Sequence, residues 1–110
     1  MSQKLEEKTR IEVPKDKLAH NEVILDNDTT RITFHRIRPG EQSGWHRHKL
    51  NYVGYHFNTS DLSVEYADGR TGPMISEAGQ ANFYEVGEGF EHNVTNIGDV
   101  DMVALEIEYK

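Results

Sequence analysis

From Val23 onward, hydrophobic and polar residues alternate in short β-prone runs separated by turn residues, and no long 3.6-residue apolar period occurs. The pattern predicts strands at 23–26, 30–38, 44–48, 51–58, 62–67, 72–77, 80–86, 92–96 and 100–109. Asn27-Asp28, Pro39-Gly40, Asp68-Gly69 and Gly98-Asp99 supply the turns between several of them. In the second run Ile32 and Phe34 share one face, and Thr33, His35 and Ile37 the other. In the last, Val103, Leu105, Ile107 and Tyr109 share a face opposite Glu106 and Glu108, which reads as an apolar inner side and a solvated acidic one. About nine short, evenly spaced strands predict an all-β barrel or double-sheet jelly roll.

Ahead of these runs, residues 1–17 hold nine charges of mixed sign around Leu5, Ile11 and Val13. This stretch is expected to be a charged arm with one short strand at 11–13, limited by Pro14. Residues 18–110 then form a single domain. Leu, Ile, Val and Phe make up 25 of 110 residues, just above the roughly 20% level below which disorder is the default, so the core is lean.

The net charge of −7 and the absence of a basic stripe exclude nucleic acid as an expected partner. The longest apolar run, Met102-Val103-Ala104-Leu105, is far short of a membrane span, and the first residues lack a signal peptide's apolar segment. The expectation is a soluble, cytoplasmic protein without a membrane partner. There is no cysteine, so any metal must be held by histidine, carboxylate, tyrosine or water.

Among six histidines, His46 and His48 alternate with Trp45 and Arg47, so both imidazoles project from one strand face. His92 follows a glycine-rich turn and is the candidate third ligand. Three neutral imidazoles with open positions suit Fe, Mn, Co, Ni, Cu or Zn. An isolated His-x-His pair is ordinarily a polar pair on a surface or in a core. Here, two separated segments weigh against that reading.

Gly40-Glu41-Gln42-Ser43-Gly44-Trp45-His46-Arg47-His48 fits the first half of the cupin pattern G-x5-H-x-H-x3,4-E-x6-G. Gly87-Glu88-Gly89-Phe90-Glu91-His92-Asn93-Val94-Thr95-Asn96 fits the P-x-G-x2-H-x3-N end of the second, with Gly87 replacing proline. Over residues 40–96 the chain thus resembles the cupin superfamily, and it is most similar to short bacterial single-domain cupins, some labelled as β-alanine degradation proteins. The resemblance implies a double-stranded β-helix (jelly-roll) barrel, a homodimer and one divalent transition metal at His46, His48 and His92. It also exposes a departure. The family's glutamate ligand would stand at position 52 or 53, where this chain has Tyr52 and Val53. That implies a three-histidine centre, as in some cupin dioxygenases, or a site too weak to fill.

Tyr52 is the candidate catalytic residue, as a proton donor or positioning group, with a ring that fills the barrel as the plainer alternative. His56 shares its inward parity across Gly54 but lies about 13 Å along the strand, which suits a substrate contact or a satisfied interior histidine. Asn96 either orients His92 or closes the turn after it. Of Phe83 and Tyr84, one faces the cavity. Arg36 and Arg38 read as a solvated strand edge, and His20 and His35 as structural. The leading expectation is a small metalloenzyme acting on a small polar organic acid or carbonyl compound by dioxygenase-like or hydrolase/isomerase-like chemistry. The other is a non-catalytic binding or structural cupin.

Overall fold

The structure is a computed structural model describing residues 12–110. A 3-10 turn at Lys15–Lys17 leads into nine strands: β1 His20–Asp26, β2 Thr30–Ile37, β3 His46–His48, β4 Tyr52–His56, β5 Leu62–Tyr66, β6 Thr71–Met74, β7 Ala81–Tyr84, β8 Phe90–Asn96 and β9 Met102–Tyr109. They form a five-stranded sheet, β1-β2-β9-β4-β7, facing a four-stranded one, β3-β8-β5-β6. Every pairing between these nine strands is antiparallel. This is the expected jelly roll, in which neighbours in a sheet are often far apart in sequence. No helix among the described residues is long and apolar enough to cross a membrane. Ile11 lies outside the described residues, and Glu12 and Val13 are not in a strand.

Strand alternation sends one face of each sheet into the barrel. Ile37 and Met102 stand opposite each other across β2 and β9, and Val64 and Val94 across β5 and β8. With Leu62 and Ala104 they form the buried core cluster.

The structure reverses the expected orientation of β9. Met102 and Ala104 are buried, and Glu106 lines the interior beside them. Val103, Leu105 and Ile107 take the outer face. Cross-strand pairing makes this arrangement workable: Ile107 lies between Ile32 of β2 and Val53 of β4, and Leu105 between Phe34 and Tyr55. The outward apolar side chains shield one another along two rows. Apolar and acidic alternation was visible in the sequence, but small Ala104 and flexible Met102 are what the narrow interior accepts.

Removing Ile37 side-chain atoms leaves a cavity in the tightest part of this core. Ile37→Ala is expected to lose about 2–5 kcal/mol of unfolding free energy in urea titrations, whereas Ile75→Ala, at a position 61% exposed, changes it by about 0.5 kcal/mol or less. Equal effects at both positions would contradict the core assignment.

Candidate metal centre

β3 and β8 bring the three predicted histidines together. His46 stands directly opposite His92 in the ladder, and His48, two residues along β3, shares their face. Gly89 permits the close approach: its φ is +101°, and a Cβ there would lie 2.9 Å from the His48 carbonyl oxygen. His92 Nε2 lies 3.0 Å from His46 Nε2 and 3.1 Å from His48 Nε2. Both His48 and His92 are buried.

Hydrogen bonding alone does not satisfy this vertex. His46 Nδ1 lies 2.8 Å from the Gly44 carbonyl, which can only accept, so Nδ1 carries the proton and Nε2 presents a lone pair. His48 Nδ1 faces the Glu106 carboxylate at 3.6 Å, which favours the same tautomer. A proton on His92 Nε2 can serve only one of its two neighbours, and His92 Nδ1 is buried with no hydrogen-bond partner among the described residues. A cation accepting three lone pairs resolves the conflict. The 3.0–3.1 Å separations bring the Nε2 atoms close enough for the three histidines to hold one ion.

The electrostatics agree. Burial lowers all three imidazoles below the usual histidine range, His48 to about 4, and mutual repulsion drives His92 down further. They are therefore neutral and competent to bind metal near neutral pH.

Glu106 was expected to face solvent, and His35 to be merely structural. Glu106 instead sits between two imidazoles, with Oε2 3.2 Å from His35 Nε2 and Oε1 facing His48. Burial opposes its ionisation, but the pull of His35 and His48 is stronger and holds the carboxyl below its ordinary value. His35 Nδ1 lies 2.6 Å from Asn21 Oδ1, so the chain Asn21–His35–Glu106–His48 runs across β1, β2 and β9 to β3. The inward parity of His35 with Ile37 was the available signal. The face reversal of β9 hid Glu106.

Asn93, also not singled out from sequence, is fully buried. Its Oδ1 accepts from Gly44 N–H at 3.0 Å, fixing the segment whose carbonyl anchors His46.

Tyr52 stacks on the face of His48 at a centroid distance of 4.4 Å, and Tyr84 on Tyr52 at 4.7 Å. Burial, with the nearby Glu106 charge, raises the Tyr52 phenol well above its ordinary value and keeps it protonated. Tyr84 faces inward and Phe83 outward, where it is exposed. Asn96 donates to the Ile37 and Val100 carbonyls and accepts from Gly98 N–H, so its amide closes the turn and does not orient His92. His56 is buried against Ser76, away from the three-histidine vertex. The vertex opens on an interior cavity of about 60 Å³.

Two outcomes follow. The unfolded chain takes up protons on histidine from about pH 6.5 downward, whereas folded His48 resists until about pH 4; stability is therefore full above pH 6.5 and falls with acidification across that window. Thermal melts of metal-free protein should show this decline, and His48→Gln/His92→Gln should flatten it; identical profiles would contradict the buried neutral assignment. Glu106→Gln should weaken metal affinity by roughly 10- to 100-fold in chelator competition, while an unchanged affinity would remove Glu106 from the site.

No family model matches the chain. A curated protein of Pseudomonas aeruginosa, the beta-alanine degradation protein BauB, is 37% identical over 89 residues, covering 80% of this chain and 90% of that protein. The crystal structure of a cupin domain from Bordetella pertussis superposes with a TM-score of 0.78 at 35% identity, covering 89% of this chain and 99% of that one. An RmlC-like cupin with a double-stranded β-helix fold from Methanocaldococcus jannaschii shares the fold at 12% identity and a TM-score of 0.65, over 90% and 88% of the two chains. With two facing antiparallel sheets around an inward histidine trio, and relatives at this level of identity along nearly their whole length, this chain belongs to the cupin superfamily.

Proposed function

We propose that this cupin is a metal-dependent enzyme acting on a small polar organic acid or carbonyl compound, with one divalent transition metal ion held by His46, His48 and His92. The observation that carries the reading is the convergence of three neutral Nε2 atoms, two of the contacts at 3.0 and 3.1 Å, at the wall of an interior cavity. Three imidazoles and no carboxylate ligand suit Fe, Mn, Co, Ni, Cu or Zn. Bound there, such an ion supplies Lewis acidity and open positions for substrate or oxygen.

The chain's own residues do the rest. The Gly44 carbonyl fixes the tautomer of His46, and the Glu106 carboxylate, 3.6 Å from His48 Nδ1, favours the matching tautomer there. Tyr52, kept protonated, offers a hydrogen-bond donor or positioning group beside His48. Leu62, Met74, Val94 and Met102 line the cavity with apolar surface that excludes water and strengthens polar contacts within it. The cavity of about 60 Å³ confines the substrate to a small metabolite. The Pseudomonas relative, named for β-alanine degradation, supports the same size class.

Elemental analysis of protein purified without added metal tests the centre directly. Stoichiometric metal is expected, lost in the His46→Ala/His48→Ala double variant. Absence of metal, with melting unchanged on adding Fe, Mn, Ni or Zn, would overturn the reading. Turnover or oxygen uptake across a panel of small organic acids then separates an enzyme from a binding protein: ligands that raise the melting temperature without turnover would establish a non-catalytic cupin.

A further inference from the structure

We propose that the barrel interior has a second recognition pole, formed by His56 and Ser76, which binds the uncharged oxygen of a short hydroxy- or oxo-carboxylic acid while its carboxylate lies at the three-histidine vertex. The inference rests on the metal-centre reading and names the substrate class for it.

Both residues are buried, at 3% and 4% exposure, although they lie 20 positions apart in sequence. Ser76 Oγ is 3.0 Å from His56 Nδ1 and 2.9 Å from Ser60 Oγ. The serine pair thus occupies Nδ1 and leaves Nε2 as the ring's other hydrogen-bonding position, on a residue that lines the cavity. No turn or strand ladder requires this imidazole, and a buried polar ring at a cavity wall needs a reason to be there.

The three histidines and His56 line one cavity. Tyr52, Gly54 and His56 follow one another on the inner face of β4, with Tyr52 stacked on His48 at the metal end. Gly54 adds no side chain to the middle of that face, where the Tyr84 ring packs within 3.5 Å of the position a Cβ would take. His56 pairs with Ala104, the small inner residue of β9. Strand rise separates the α-carbons of Tyr52 and His56 by about 13 Å, which puts the two poles at different ends of the inner face of β4.

Charge selects the ends. Burial, then repulsion from His35, holds His56 below its ordinary value, so the far pole is neutral. A neutral imidazole linked to two hydroxyls can donate or accept one hydrogen bond, depending on tautomer, which fits a hydroxyl or carbonyl. A second carboxylate would be buried there without a counter-ion, at a large desolvation cost.

The test compares propionate with 3-hydroxypropionate, butyrate with 4-hydroxybutyrate, and succinate, titrated into metal-loaded protein by ligand-observed NMR. In the wild type at least one hydroxy acid should bind roughly five- to tenfold tighter than its parent acid, and succinate no tighter than butyrate. His56→Leu and Ser76→Ala should each reduce that preference to parity without changing metal content or parent-acid affinity. Ser76→Ala serves as the gentler variant, since it retains the imidazole and removes only the hydroxyl that holds its Nδ1. Wild-type parity, tighter binding of succinate, or a hydroxyl preference that survives both substitutions would overturn the second pole. Those outcomes in protein that still holds its metal leave the metal centre standing, whereas failure to hold metal overturns both.

Discussion

Three converging imidazole nitrogens, with His92 Nε2 3.0 and 3.1 Å from its two neighbours, form the constraint around which the rest of the site is built. Nothing of one sign can be placed there cheaply. Protonating the rings puts like charges together, and leaving them neutral points lone pairs at one another. Each histidine therefore depends on what holds its other nitrogen: the Gly44 carbonyl for His46, the Glu106 carboxylate for His48, and no described hydrogen-bond partner for His92. A divalent cation would satisfy all three at once, and the surrounding sheet supplies the rigidity that holds the nitrogens in place.

Glu106 changes the meaning of the missing family glutamate. The resembled pattern places its carboxylate at position 52 or 53, on the strand after the histidine pair; here Tyr52 stacks on His48 instead. Negative charge returns from β9, facing Nδ1 of the His48 ring and paired with His35. A carboxylate in that position orients a ligand and raises its basicity without occupying a coordination position. The acidic chain, with 19 carboxylates, thus contributes one to the site by a different route.

The strand count, the approximate boundaries and the His46–His48–His92 trio were legible in the sequence because each depends on local signals: alternation, turn residues and fixed motif spacing. The inward parity of Tyr52, Gly54 and His56 was legible for the same reason. What alternation alone does not state is which face of a strand turns inward. For β9 the two choices offered apolar Val103, Leu105 and Ile107 or mixed Met102, Ala104 and Glu106. The outcome depends on β2 and β4, whose own outward apolar residues cover the former set. The His35–Glu106 contact joins residues 71 positions apart in number and was invisible until β2 and β9 were paired. Asn96 was ambiguous for a related reason, since its amide had two plausible uses and only the position of the Ile37 and Val100 carbonyls decides between them.

The structure points to a single metal ion bound by three Nε2 atoms, with Glu106 behind His48. Anomalous diffraction from crystals of the metal-loaded protein, recorded on both sides of the metal's absorption edge, would locate that ion. One anomalous peak is expected in the barrel, at ~2.1 Å from Nε2 of His46, His48 and His92, with Glu106 facing His48 Nδ1 and not the ion. A peak bound through Nδ1 atoms, one coordinated by Glu106, or no peak at the vertex in crystals that contain the metal would contradict it.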